Sequence, residues 1–156
     1  MINNKVSTPY DDLTYEIIGC AMKVHCELGP GLREDSYQHA LALIMAEAKL
    51  SYEEQRNYGV YDDMEQQRLV GYYIPDFVVE EKVIVEIKAL RGLDNTHLAQ
   101  LIGYLAVTGC PLGLLINLGE RSLRHRRVFP PQKILEHSVN RQWLFAPEWL
   151  KSEAGE

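Results

Sequence analysis

Residues 74–90 read IPDFVVEEKVIVEIKAL, a run of Val, Ile, Leu and Phe of the kind that fills buried strands. It also carries Asp76, Glu86 and Lys88, three groups that are costly to bury unless something binds them. Phe77 to Val79 and Val83 to Ile87 read as a hairpin turning through Glu80, Glu81 and Lys82. With the turn centred on Glu81, Asp76 and Glu86 are each five residues away and stand opposite one another. Facing partners on one side of a hairpin lie roughly 4.5–5.5 Å apart at Cβ. Two carboxylates at that range repel each other unless a cation sits between them. Lys88 projects from the same face, because side chains alternate with period two, while Val85 and Ile87 point to the other. A solvated hairpin face is one reading of this pattern, and a metal site is the other.

On the second reading the ligands are oxygens: Asp76, Glu86 and the backbone carbonyl of Ile87. Such donors suit Mg2+ or Mn2+ rather than zinc. Phosphodiester hydrolysis fits the set. It needs a hydroxide formed at neutral pH, charge against the phosphoryl oxygens and help for the leaving alkoxide. Lys88 is placed to orient the attacking water or to neutralise charge on the phosphate.

Around the hairpin the chain reads as α/β. Residues 1–11 form a loose polar arm. From Leu13 the apolar positions Ile17, Cys20, Ala21, Val24 and Leu28 recur at helical spacing, with Thr14 or Asp12 as the cap. Gly29-Pro30-Gly31 stops that helix. A second runs from Glu34 to Lys49, with Tyr37, Leu41, Ile44 and Ala48 on one face. Tyr52 to Tyr61 reads as one strand, Asp62 to Gln67 as a charged turn, and Arg68 to Ile74 as the next strand. A helix over Asn95 to Val107, a buried strand in PLGLLINLG and an edge strand in RHRRVF follow. The tail has a short helical piece around Ile134 to His137 and frays over 150–156. The expectation is a central mixed β-sheet with helices on both flanks and an N-terminal helical pair.

The 156 residues suffice for a single domain spanning 1–156. With 46% hydrophobic and 24% charged residues the composition is ordinary for a globular chain. Neither a signal-peptide pattern nor an apolar run of about 18 residues is present, so no membrane role is expected. Cys20, Cys26 and Cys110 lack CxxC spacing and read as buried free thiols of a cytoplasmic protein. The net charge of −6 counts against a binder held to nucleic acid by global charge. Its distribution is uneven: residues 121–133, RSLRHRRVFPPQK, hold four arginines and a lysine with no acid. Arg124, Arg126 and Arg127 there either track a phosphate backbone or discourage aggregation at a solvated strand edge.

The residues PD, nine positions, then EIK match the PD-(D/E)xK nuclease motif, and the chain resembles the restriction-endonuclease-like superfamily that carries it. GLREDSY, residues 31–37, resembles the GxxExxY motif of a bacterial family within that superfamily. AQLIGYL sets Gln100 and Tyr104 four apart, similar to the QxxxY motif of RecB-type members. The resemblance implies a restriction-endonuclease-like core and a Mg2+-dependent nuclease acting on DNA or RNA. It implies that Glu34 completes the metal site, that Asp76, Glu86 and Lys88 form the catalytic core, and that Gln100 and Tyr104 support the site or contact the nucleic-acid backbone. Glu54 is a lesser candidate, in a segment more polar than the family's first strand.

Plainer roles stand beside these. A carboxylate at position 34 favours the start of a helix, Tyr37 reads as a packing residue whose hydroxyl finds a partner, and a side chain at Gly31 would crowd the helix that presents Glu34. His97 lies near the site mouth; His25, His39, His125 and His137 read as surface or packing residues. The alternative to a nuclease is a binding or assembly module on the same fold, as a homodimer, with a vestigial metal site.

Overall fold

The computed structural model describes residues 10–61 and 68–131. The expected turn at Asp62 to Gln67, the helical piece near Ile134 and both chain ends lie outside these residues, apart from the last two positions of the N-terminal arm. Asp11, placed in that arm by the sequence reading, opens helix α1 (Asp11–Leu28). There follow α2 (Glu34–Glu47), β1 (Tyr52–Glu54), β2 (Tyr58–Tyr61), β3 (Leu69–Tyr73), β4 (Phe77–Val79), β5 (Val83–Lys88), α3 (Asn95–Thr108), β6 (Leu112–Asn117) and β7 (Arg124–Val128).

Five strands form one sheet in the order β1-β4-β5-β6-β7. The β5–β6 pair is parallel and the other three are antiparallel, so the sheet is mixed as expected. The parallel pair requires a crossover, which α3 supplies. On one face, Val83, Val85 and Ile87 of β5 pack with Ile17, Val24, Tyr37, Leu41 and Met45 of the helical pair. On the other, Ile84 packs with Leu101 and Leu105 of α3 and Leu115 of β6. β5 is thus covered on both sides, which explains its continuous apolar run.

The helices begin and end for reasons only partly visible in the sequence. Neither Asp12 nor Thr14 caps α1; Tyr10 is the N-cap in a left-handed conformation, and the Thr14 hydroxyl donates instead to the carbonyls of Tyr10 and Asp11. Leu28, at the helix end, is exposed, and the buried face of α2 runs through Tyr37, Leu41, Ala42 and Met45 rather than Ile44 and Ala48. The stop at Gly29 is as expected, with φ 66° and its N–H on the His25 carbonyl at 2.8 Å. Gly31 is required for its φ of 104°, not for space: a Cβ there meets nothing within 4 Å. Tyr37 is fully buried, and its hydroxyl donates to the Gly29 carbonyl at 2.5 Å and accepts from the Leu32 N–H at 3.1 Å. The tyrosine therefore holds the turn that leads into Glu34.

The single strand expected over Tyr52 to Tyr61 is broken. Gln55 has φ 57°, which turns the chain between two sheets: β1 joins β4, while β2 pairs with β3 in a separate two-stranded hairpin. Of the three cysteines, all free, Cys20 and Cys110 are buried but Cys26 is exposed, because it lies off the buried face of α1.

Asn117, at the end of β6, is fully buried. It accepts from the Leu90 N–H at 2.9 Å and donates to the Leu90 carbonyl at 3.0 Å, locking the segment that follows Lys88. Gly119 lies so close to that segment that a Cβ would overlap the backbone of Leu90 and Ala89. Gly119→Ala is expected to cost about 1–3 kcal/mol and to lower the urea midpoint. Gly92→Ala, where nothing lies within 4 Å, stays within about 0.5 kcal/mol of wild type.

Candidate active site

The β4–β5 register pairs Phe77 with Val85, Val78 with Ile84 and Val79 with Val83. One step further, Asp76 falls opposite Glu86, as the turn position implied. Glu80 and Glu81, with φ of 53° and 57°, make the left-handed turn that sets this register. Asp76 and Glu86 are both half-buried. The Ile87 N–H donates to Asp76 Oδ2 at 2.7 Å, and the Tyr73 hydroxyl donates to Glu86 Oε1 at 2.5 Å. Each acid is thus held by a donor from a different strand.

Burial raises the Asp76 carboxyl above the usual carboxylate range, opposed by the Ile87 N–H; the Glu34 charge raises it further and Lys88 lowers it. Burial and the neighbouring Asp76 charge push Glu86 up to about 7, against the lowering effects of the Tyr73 hydroxyl and Lys88. Burial and the Glu86 carboxylate push Tyr73 upward as well, so its hydroxyl stays a donor at neutral pH. The two carboxylates are crowded, partly dehydrated and only partly compensated by one lysine. An added cation relieves that condition.

Helix α3 closes over this end of the sheet. Its N-terminus is fixed by a capping box, in which Asp94 accepts from the Thr96 and His97 N–H groups and His97 Nδ1 accepts from the Asp94 N–H. His97 therefore serves the helix start, although it also lines the cleft. Gln100, Leu101 and Tyr104 join it there, facing Glu86, Lys88 and Leu115 across a space of about 10 Å3. That is close to the smallest volume that holds one water. The Tyr104 ring stacks on Tyr73 with centroids 3.8 Å apart and planes 11° from parallel. Tyr73 is the site residue that sequence reasoning missed. Tyr72 and Tyr73 are adjacent, and only the β2–β3 register shows which one turns inward.

The remaining candidates are dispersed. Glu34 opens α2 and is exposed, yet its charge reaches Asp76. Glu54 pairs with Phe77 and accepts from Gln38 Nε2 at 3.4 Å, on the side of α2. Across the sheet, Glu86, Leu115 and Arg126 form one row and Lys88, Asn117 and Arg124 the next. Arg124 and Arg126 thus leave the same face as the acids, two strand spacings or roughly 10 Å from β5. They border a groove of about 410 Å3 with Gly92, Leu93, Glu120 and His125, and Glu120 lies 3.8 Å from Arg124. Arg127 points to the opposite face and pairs with Asp11 of α1.

Among the described residues, no three His, Cys, Asp or Glu side chains form a ready-made metal cage. The fit of a cation rests instead on two crowded carboxylates with hard oxygen donors. Mg2+ is commonly held in this way, by one or two carboxylates with water and substrate phosphate completing its shell.

The family model of the PD-(D/E)XK nuclease superfamily matches residues 11–128. The chain belongs to this superfamily. Its members generally act with divalent metal ions. The superfamily chain is also similar in fold to the crystal structure of SSO0001, with a TM-score of 0.54 and 14% identity over 83% of this chain and 70% of that one. No curated protein matches it. Among the described residues, no helix is long and apolar enough to cross a membrane.

The raised Glu86 carboxyl has a testable sign. A carboxyl that binds its proton more tightly when folded adds stability below its unfolded pKa of about 4.5. That stability is lost as pH rises through about 7. Metal-free wild type should therefore lose stability relative to Glu86→Gln between pH 4.5 and 7.5. Urea unfolding of both chelated proteins across that range measures the difference.

Proposed function

We propose that the protein is a Mg2+- or Mn2+-dependent nuclease hydrolysing phosphodiester bonds in DNA or RNA, its whole length acting as one domain. Within its superfamily we place it with the GxxExxY family. The observation that carries the reading is the crowded Asp76–Glu86 pair beside Lys88, at the rim of a cleft formed with α3.

Asp76, Glu86 and the Ile87 carbonyl would hold the ion, with Glu34 approaching from the start of α2. When bound, the ion supplies charge against the phosphoryl oxygens and a lowered pKa for water. The protein's part is largely positional. The Ile87 N–H and the Tyr73 hydroxyl fix the two carboxylates before substrate arrives, so no reorganisation is needed during the reaction. The Lys88 ammonium orients the attacking water and offsets charge on the scissile phosphate. Gln100, in the same cleft, is a hydrogen-bonding partner for water. Arg124 and Arg126 take backbone phosphates beyond the scissile one. Arg127, engaged with Asp11, contributes to that basic edge only if the ion pair opens. Local charge of this kind serves a polyanion even on a chain whose net charge is −6.

A panel of duplex, single-stranded and structured DNA and RNA, with Mg2+ or Mn2+, tests the proposal. Cleavage of at least one substrate, stopped by chelator, is expected. Lys88→Ala and Asp76→Ala should each reduce it by about 10²–10³-fold with unchanged circular dichroism. A clean preparation that cuts nothing in the panel contradicts the proposal and favours a binding module, tested in turn by its oligomeric state.

A further inference from the structure

A side-chain hydrogen bond reaches Glu86 from outside the motifs and outside the five-stranded sheet. Tyr73 ends β3, in the separate two-stranded hairpin, and is only 6% exposed. Its ring lies against two others: Tyr58, its register partner, at 6.4 Å between centroids, and Tyr104 of α3 at 3.8 Å. The phenol is thereby wedged between hairpin and helix. Its hydroxyl meets Glu86 Oε1 at 2.5 Å. Tyr104 meets the site differently. Its ring is engaged with Tyr73, while its hydroxyl makes no hydrogen bond among the described residues.

We infer that Tyr73 is the positioning residue for Glu86, and that Tyr104 acts on the site through Tyr73 rather than through its own hydroxyl. A glutamate has three side-chain torsions, and burial alone does not fix the rotation of its carboxylate. One short hydrogen bond from a wedged ring does. The same contact joins the small hairpin, whose Val60 and Tyr73 pack with Leu101 and Leu105 of α3, to the site. The inference rests on the nuclease reading, since it assigns to Glu86 the task of receiving a cation.

Partners that orient a metal ligand commonly change affinity 10–100-fold when removed. Calorimetric titration with Mn2+ should therefore show Tyr73→Phe, which keeps the ring and loses the hydroxyl, binding at least about tenfold more weakly than wild type. Tyr104→Leu, which removes the stacked ring, should weaken binding in the same direction. Tyr104→Phe should stay within about twofold. In metal-free protein, the Glu86 side-chain carboxyl carbon, followed by NMR, should shift in Tyr73→Phe and not in Tyr104→Phe. Thermal melting of each variant separates these effects from unfolding.

Unchanged Mn2+ affinity in a folded Tyr73→Phe protein overturns the role of Tyr73. A loss in Tyr104→Phe as large as in Tyr104→Leu overturns the indirect role of Tyr104. Wild type that binds no Mn2+, while the Glu86 carbon still responds to Tyr73→Phe, defeats the nuclease reading and leaves only a structural contact.

Discussion

Asp76 and Glu86 repel each other across a hairpin at a place where the sheet and α3 have removed much of the water. Left to themselves, two such carboxylates would rotate apart or take up a proton. Neither is free to rotate, because the Ile87 N–H holds one and the Tyr73 hydroxyl the other. Burial first, and the Asp76 charge second, push the Glu86 carboxyl up to about 7, against the lowering effect of the Tyr73 hydroxyl that holds it. Much of the surrounding architecture can be understood as what keeps this unfavourable pair in place.

The support comes from several directions. The apolar residues of β5 are gripped by the helical pair on one face and by α3 on the other, so the strand bearing Glu86 and Lys88 has little freedom to shift. Asn117 and Gly119 clamp the chain just beyond Lys88. Tyr37 ties down the glycine turn ahead of Glu34, which gives the tyrosine of that motif a structural task instead of a chemical one. The capping box at Asp94 fixes where α3 begins, and with it the placement of Gln100 and Tyr104 over the acids. Rigidity of this kind lets a site keep like charges together.

How much of this the sequence disclosed depended on the range of the interaction. The facing of Asp76 and Glu86 was legible because a hairpin centred on Glu81 and a period of two determine it locally. The mixed sheet and flanking helices followed from the order of apolar patterns. The break at Gln55 was hidden, since a single left-handed residue sent β1 and β2 to different sheets without any glycine to signal it. Tyr73 was hidden for a related reason: reading Asp62 to Gln67 as a charged turn does not give the strand register, and choosing Tyr73 over Tyr72 requires it. The run RHRR looked like one basic surface, yet strand alternation divides it, with Arg124 and Arg126 on the face of the acids and Arg127 committed to Asp11 on the other.

The central question is whether the paired carboxylates are a place for a cation or a tolerated defect of the sheet. Anomalous diffraction from crystals soaked in Mn2+ addresses that point directly. A cation site requires a peak between the Asp76 and Glu86 carboxylates, within coordination distance of the Ile87 carbonyl. Two carboxylates found without a peak between them, in a crystal that shows Mn2+ bound elsewhere on the chain, would contradict it.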